Sequence, residues 1–373
     1  MDFNLSEEQQ MLRDGATRFV REHYAFEARR ALAKSELGYS REHWQTYAEL
    51  GWLALGVPED AGGLGCPFTD TAILLEELGR GLVLEPLVST TVLCARILDR
   101  CENPGARGEL LGEVAVGSTI LALAHDEPGH RFETARADVA ARPVGDGFVL
   151  DGIKILAVDG QAADRFIVSA TLAGDPVPSL FVVPRDAAGL TIETYQLIDG
   201  SGAADLRLAG VACDADARLA GPGRAAEILE EAFDAETVAR IAEAIGAMDA
   251  VMAITAEYIK TRVQFGQPIG KFQALQHRMS EMFVETEKSR SALFRALAFL
   301  DADPMVRKTA VSAAKVAVAD AARFVGAQGI QLHGGIGMTE EYSVGHYFKK
   351  LVAFEKMHGD SDWHLTRLVA DYH

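Results

Sequence analysis

The chain has 373 residues, 49% of them hydrophobic, which suffices for a large core divided among two or three domains. A formal net charge of -18 argues against nucleic acid or an anionic membrane surface as the main partner, since both demand clustered positive charge. The opening stretch MDFNLSEEQQML has no signal-like apolar run and no run of about 18 apolar residues follows, so a cytoplasmic location without a membrane span is expected.

In chain order, Ser6 and Gln9 have capping-box spacing, and Leu12, Ala16, Phe19 and Val20 then share one helical face. Residues 41–56 and 69–83 are also helical in pattern, separated by a loop punctuated at Pro58, Gly62, Gly63, Gly65 and Pro67. Residues 1–117 are therefore predicted as an N-terminal α-helical domain. Across 118–220 the pattern changes to short β-rich runs: Thr119–Ala124, Phe148–Ala157, Phe166–Thr171, Ser179–Val183 and Leu190–Leu197, with a hairpin-like turn at Gly145-Asp146-Gly147. An antiparallel barrel or sandwich is expected there. From 221 to 373 the helical pattern returns, with long segments near 224–264, 273–300, 305–332 and 342–372, which predicts a four-helix-bundle domain and an α+β protein overall. Cys66, Cys94, Cys101 and Cys213 lack CxxC spacing, so they are expected as core thiols, and no metal site is predicted.

Two motifs carry chemistry. The first, Arg262-Val-Gln-Phe265-Gly266-Gln-Pro268-Ile269-Gly270-Lys-Phe272-Gln273, joins two helices. Its Arg, its Gln and its glycines suit an anionic, hydrogen-bonding cofactor, although taken alone such a helix-helix turn is more often structural. The second, Gln331-Leu-His333-Gly334-Gly335-Ile-Gly337-Met-Thr339-Glu-Glu-Tyr342, follows a helical run rather than a strand, which excludes a dinucleotide-binding fingerprint. Three glycines exceed what a helix stop requires and permit close backbone approach to a phosphate or ribityl chain.

Together these segments resemble the acyl-CoA dehydrogenase family, with its RxxFGxPIGxFQ and QxxGGxG segments in an α, β, α order. The loop Pro58-Glu59-Asp60-Ala-Gly62-Gly63 and the helix Glu76-Glu77-Leu78-Gly79 match it too, so the likeness covers the whole chain. Gly81-Leu82-Val83-Leu84-Glu85-Pro86 and Gly345-His346-Tyr347-Phe348-Lys349 add a narrower likeness to the small subunits of heteromeric members, the pimeloyl-CoA type among them. The resemblance implies FAD, an acyl-CoA substrate desaturated between its α and β carbons, and electron-transfer flavoprotein as electron acceptor. It also implies that Arg262, Phe265, Gln273, Gln331, Gly334 and Gly335 reach a flavin held mainly by a neighbouring subunit.

The chain departs from the family where it would hold its own flavin. The usual Thr-Glu-Pro-Gly-x-Gly-Ser-Asp run is Ala124-His125-Asp126-Glu127-Pro128-Gly129-His130-Arg131, and the usual Trp-Ile-Thr-Asn-Gly after a Lys is Leu156-Ala-Val158-Asp159-Gly160. Val158 has no donor to offer. The usual catalytic Glu falls on His358, which could act as a base but reads as part of a polar, partly solvated segment with Met357, Asp360, Asp362 and His364. A minority of the family places the base at the position of Glu236, here followed by Thr237 instead of Arg. Glu236 is thus the tentative catalytic residue, or else a helix-surface Glu beside Glu230 and Glu231. Nearby Glu243 is expected to be structural.

Three readings follow. In the first, the chain is the small subunit of an α2β2 acyl-CoA dehydrogenase with a larger homologous subunit, acting on a dicarboxylyl- or steroid side-chain-CoA. In the second, it is a self-sufficient homotetramer using Glu236. In the third, it is a non-catalytic scaffold or acyl-CoA-binding subunit.

Overall fold

The computed structural model describes residues 4–130 and 132–370. The chain gathers into two compact units: one holds the residues up to Arg30, Phe68–Val83 and Thr237 onward, the other Ala31–Pro67 and Leu84–Glu236.

The second unit is built around an eight-stranded sheet. Its strands are β1 (Leu121–Ala124), β2 (Ala140–Val144), β3 (Gly147–Val158), β4 (Arg165–Leu172), β5 (Ser179–Pro184), β6 (Leu190–Gln196), β7 (Gly202–Cys213) and β8 (Arg218–Ala220). They run in the order β6-β7-β3-β2-β4-β5-β8, with β1 beside β4. The Gly145-Asp146 turn closes the β2-β3 hairpin, pairing Val144 with Gly147, and Gly145 takes a φ of 61°. The sheet is mixed rather than wholly antiparallel, because β4 runs parallel to both β1 and β2. The long connections that precede β4 allow this, whereas tight hairpins would force antiparallel neighbours.

Strands β2, β7 and β8 have no counterpart among the β-rich runs of the sequence. Strand β7 reads Gly-Ala-Ala-Asp-Leu-Arg-Leu-Ala-Gly-Val-Ala-Cys, weak in intrinsic β-propensity, yet it is sandwiched between β3 and β6 and held by both ladders. One face of the sheet closes over Leu150, Phe166, Val168, Phe181, Leu206 and Val211. A second cluster packs Ile97, Leu98, Leu111 and Val114 against Leu121, Ile167, Leu180, Leu219 and Leu229. Its helices include α5 (Ala95–Arg100) and α6 (Pro104–Ala115), preceded by a π-helical stretch, Val88–Cys94.

In the first unit α1 (Glu7–His23) starts on the anticipated capping box, with Ser6 accepting from the Gln9 amide at 3.2 Å and the Gln9 side chain accepting from the Ser6 amide at 3.1 Å. Here α4 (Phe68–Arg80) crosses α7 (Arg224–Thr261), a helix that begins in the second unit and continues into this one. The crossing is backbone to backbone, since a Cβ at Gly246 would run into the Glu76 carbonyl and one at Gly79 into the Glu243 carbonyl. Charges seal the same crossing. Arg290 bonds Glu76 at 2.5 Å and Asp249 at 2.9 Å, and Arg80 reaches Asp249 at 2.6 Å. The Glu76-Glu77-Leu78-Gly79 segment is therefore a helix-crossing device.

The unit is completed by α8 (Gln273–Phe299), α9 (Pro304–His333), α10 (Ser343–Lys356) and α11 (Ser361–Val369). The single helix anticipated over 342–372 is thus two, broken where His358 and Gly359 take φ values of 48° and 107°. All four cysteines are free thiols, but only Cys94 and Cys213 are buried, with Cys66 and Cys101 half-buried. No helix among the described residues is long and apolar enough to cross a membrane.

Candidate functional site

The first motif forms a corner at the end of α7. The chain leaves the helix at Thr261, makes a two-residue antiparallel pairing of β9 (Val263–Gln264) with β10 (Gln267–Pro268), and enters α8 at Gln273. The Ile269 amide donates to the Arg262 carbonyl at 2.8 Å and closes the corner. At its tip Phe265 and Gly266 take φ values of 54° and 81°, left-handed backbone that a phenylalanine rarely adopts. Phe265 is 91% exposed, and its ring meets that of Phe272 edge-on with centroids 6.1 Å apart. Arg262 and Gln273 are also exposed, and their side chains make no hydrogen bond or ion pair among the described residues.

The second motif caps α9. Gly334 takes φ 66° and ψ -142°, a conformation open essentially to glycine alone, and the chain turns through a short 3-10 helix, Gly334–Met338. Gly334, Gly335 and Gln331 are exposed, and the Gln331 amide is likewise uncommitted among the described residues.

The structure brings the two motifs together through Tyr258, which the sequence did not single out, and through His333 and Tyr342 of the second motif, to which it assigned no role. Tyr258, one turn before Arg262, donates its hydroxyl to the His333 carbonyl at 3.3 Å and stacks on the His333 ring with centroids 4.4 Å apart. Tyr342 packs on the same imidazole at 5.0 Å. The available signal was spacing: an aromatic residue four positions before the motif Arg lies on the same face of the helix.

The segments facing the chain's own flavin in the family resemblance are arranged differently. Lys154 on β3 is 0% exposed and its ammonium bonds Glu127 at 2.5 Å, Ser169 at 2.8 Å and the His125 carbonyl at 3.1 Å. Burial drives Lys154 down to about 8, against the pull of the Glu127 carboxylate. Glu127 also accepts from the Val139 amide at 2.9 Å and from the Asp138 amide. The His125 ring is buried, bonded through Nδ1 to the Ser169 hydroxyl at 2.9 Å and through Nε2 to the Glu133 carbonyl at 2.9 Å. Since a carbonyl only accepts, Nε2 carries the proton, and in the neutral ring Nδ1 accepts from Ser169. The retained Glu-Pro-Gly segment therefore serves a closed internal network. Leu156 is half exposed on left-handed backbone at φ 54°, and Asp159 accepts from the Ser89 hydroxyl at 2.5 Å. Arg131 lies outside the described residues.

Of the proton acceptors, Glu236 on α7 is 0% exposed, which excludes a helix-surface position. Burial pushes the Cys94 thiol well above the ordinary thiol range, helped by the charges of the Glu236 and Asp159 carboxylates. Glu231 bonds Arg96 at 2.8 Å and Arg100 at 2.9 Å. Glu243 is paired with Arg240 at 3.0 Å and Lys350 at 3.5 Å. His358 lies in the turn between α10 and α11, where buried Lys315 bonds the Phe354 and Met357 carbonyls at 2.7 and 2.8 Å and the His358 carbonyl accepts from His364 at 3.2 Å. Among the described residues, Glu127, His130 and Asp138 offer ligand atoms close enough for a metal, but these are bonded to one another or to Lys154 and backbone amides.

The exposed donors of the corner and the glycine turn fit an anionic, hydrogen-bonding cofactor, whereas the β3 positions offer an isoalloxazine ring little beyond apolar side chains. Comparison with known proteins gives the wider frame. Residues 6–118 match the acyl-CoA dehydrogenase N-terminal domain and residues 225–372 the acyl-CoA dehydrogenase C-terminal domain. The acyl-CoA dehydrogenase IpdE2 of Mycobacterium tuberculosis is 34% identical over 92% of this chain and 91% of its own length. Among solved structures, the Tcur3481-Tcur3483 steroid ACAD is 30% identical with a TM-score of 0.88, covering 98% of each chain. The ChsE4-ChsE5 complex from Mycobacterium tuberculosis is 28% identical with a TM-score of 0.89, covering 100% of this chain and 99% of that one. With both domain matches and a relative 34% identical over nearly its whole length, the chain belongs to the acyl-CoA dehydrogenase family of FAD-dependent oxidoreductases.

Proposed function

We propose that this chain is the small subunit of an α2β2 acyl-CoA dehydrogenase, completing the flavin sites of a larger homologous subunit while lacking a working site of its own. The observation that carries this reading is a contrast in commitment. The Arg262, Gln273 and Gln331 side chains are exposed and bonded to nothing among the described residues, whereas Glu127, Lys154, Ser169 and His125 are buried and bonded to one another. Groups presented uncommitted to solvent are available to another chain; groups closed into a buried network are not.

In this reading Arg262 offers a planar guanidinium to the anionic part of FAD, Gln273 and Gln331 offer amide donors and acceptors, and Gly334 and Gly335 let the backbone approach closely. FAD, when bound, supplies the acceptor for the hydride leaving the β carbon of the acyl-CoA. The base that removes the α proton comes from the partner, and electron-transfer flavoprotein takes the electrons onward. Two of the similar solved structures are described as a steroid ACAD and as a two-component complex, which favours a steroid side-chain thioester over a dicarboxylyl one. A cytoplasmic location accords with that chemistry.

The test is to express the chain alone and with its larger homologue, then measure flavin per protomer and acyl-CoA-dependent dye reduction. The chain alone should hold little FAD and show no turnover, gaining both on assembly as two copies of each. The second reading, a homotetramer with Glu236 as base, draws support from the burial of Glu236. Near one FAD per chain with turnover in the isolated protein would establish it in place of the first. Stable assembly without flavin or turnover would leave a scaffold.

A further inference from the structure

His333 sits inside the second motif, yet nothing in the proposed cofactor contacts uses it. Its ring is buried, and Nδ1 lies 2.7 Å from the Gly329 carbonyl. A carbonyl can only accept, so Nδ1 carries a proton, and burial lowers the basicity of the ring below the usual histidine range, against the opposing pull of that bond. The neutral ring then presents Nε2 as a lone pair, and that atom is buried with no hydrogen-bond partner among the described residues. An apolar side chain would fill this space without leaving a polar atom unmet. The imidazole is therefore a poor choice for stability alone.

What the ring does is gather the turn. Tyr258 stacks on it from α7, Tyr342 packs on it after the turn, and a Cβ at Gly337 would come within 3.1 Å of the His333 Cβ, so residues 334–342 fold closely around it. The Nδ1-H bond fixes the ring on the last turn of α9, directly before Gly334 with its φ of 66° and ψ of -142°. We infer that His333 is a positioning residue, whose Nδ1-H bond to Gly329 holds the Gly334-Gly335 turn in the shape that receives the cofactor. This rests on the proposed cofactor role of Gln331, Gly334 and Gly335.

The experiment uses the FAD-bearing assembly that the chain forms, with itself or with a larger homologue, and compares His333→Phe, His333→Asn and Gln331→Ala. Phenylalanine keeps the aromatic stack and loses the donor; asparagine puts an amide donor where Nδ1 stood and loses the ring. Flavin remaining after gel filtration and the melting temperature of the assembly are both read. His333→Phe should weaken FAD retention about fivefold, the effect of one neutral hydrogen bond. Its melting temperature should hold or rise, because an unmet buried acceptor is removed with the donor. His333→Asn should restore most of the retention despite a lower melting temperature. A structural residue would show the reverse coupling, with retention falling only as stability falls, and that result overturns the inference. Normal retention in His333→Phe together with loss in Gln331→Ala overturns it while sparing the cofactor reading. Normal retention in both overturns the two together.

Discussion

The corner after α7 and the buried cluster built from β3, β4 and the segment after β1 are both rich in hydrogen-bonding groups, and they use them in opposite ways. At the corner, Arg262 and Gln273 are exposed with no partner among the described residues, as is Gln331 near the end of α9, and Phe265 stands almost wholly in solvent. In the cluster, Lys154 reaches three oxygen acceptors and His125 uses both ring nitrogens. Polar residues at family positions thus carry little functional meaning until their partners are known. A satisfied buried network ties β3 and β4 to the segment after β1, while exposed groups without a protein partner remain available to another surface.

The largest effect expected from this contrast is on stability. Lys154→Met should leave the buried Glu127 carboxylate without its cation and cost about 3–5 kcal/mol, seen as a clear fall in melting temperature. If the variant melts normally but its assembly loses flavin, the cluster is a functional site and the contrast collapses. Arg262→Ala should do the opposite, weakening FAD retention in the assembly at least about tenfold with the melting temperature unchanged, because a charge-assisted bond is lost and no core volume is removed. Unchanged flavin content would remove the corner from the cofactor site. The smallest effect is expected from Glu236→Gln, which should leave turnover of the assembled enzyme near wild type if the partner supplies the base. A loss of several orders of magnitude would return the base to this chain.

The helices of both ends were legible because their apolar periodicity and caps are local: the Ser6 capping box and the starts of α7, α8 and α9 follow from neighbouring residues alone. Strand β7 was not legible, because its alanines become β structure only between two partner strands, and the parallel pairing of β4 has no local signature at all. The corner motif could be picked out by residue type, but the state of its side chains could not. Glu236 shows the same limit, since a glutamate followed by Thr reads alike on a helix surface and in an interior, and only its burial in the folded chain decides between them. Tyr258 and His333 were missed as a pair because 75 residues separate them in the chain.

The exposed Phe265 ring has a consequence for the life of the free chain. Held out on left-handed backbone, with Val263 of the same corner exposed as well, it gives a newly made subunit an apolar point that neither its own fold nor the overall negative charge conceals. Such points draw chaperones and proteases, which continuously sort incompletely assembled proteins. If the proposed assembly covers the ring, copies of the chain without a partner would be the ones left open to that sorting.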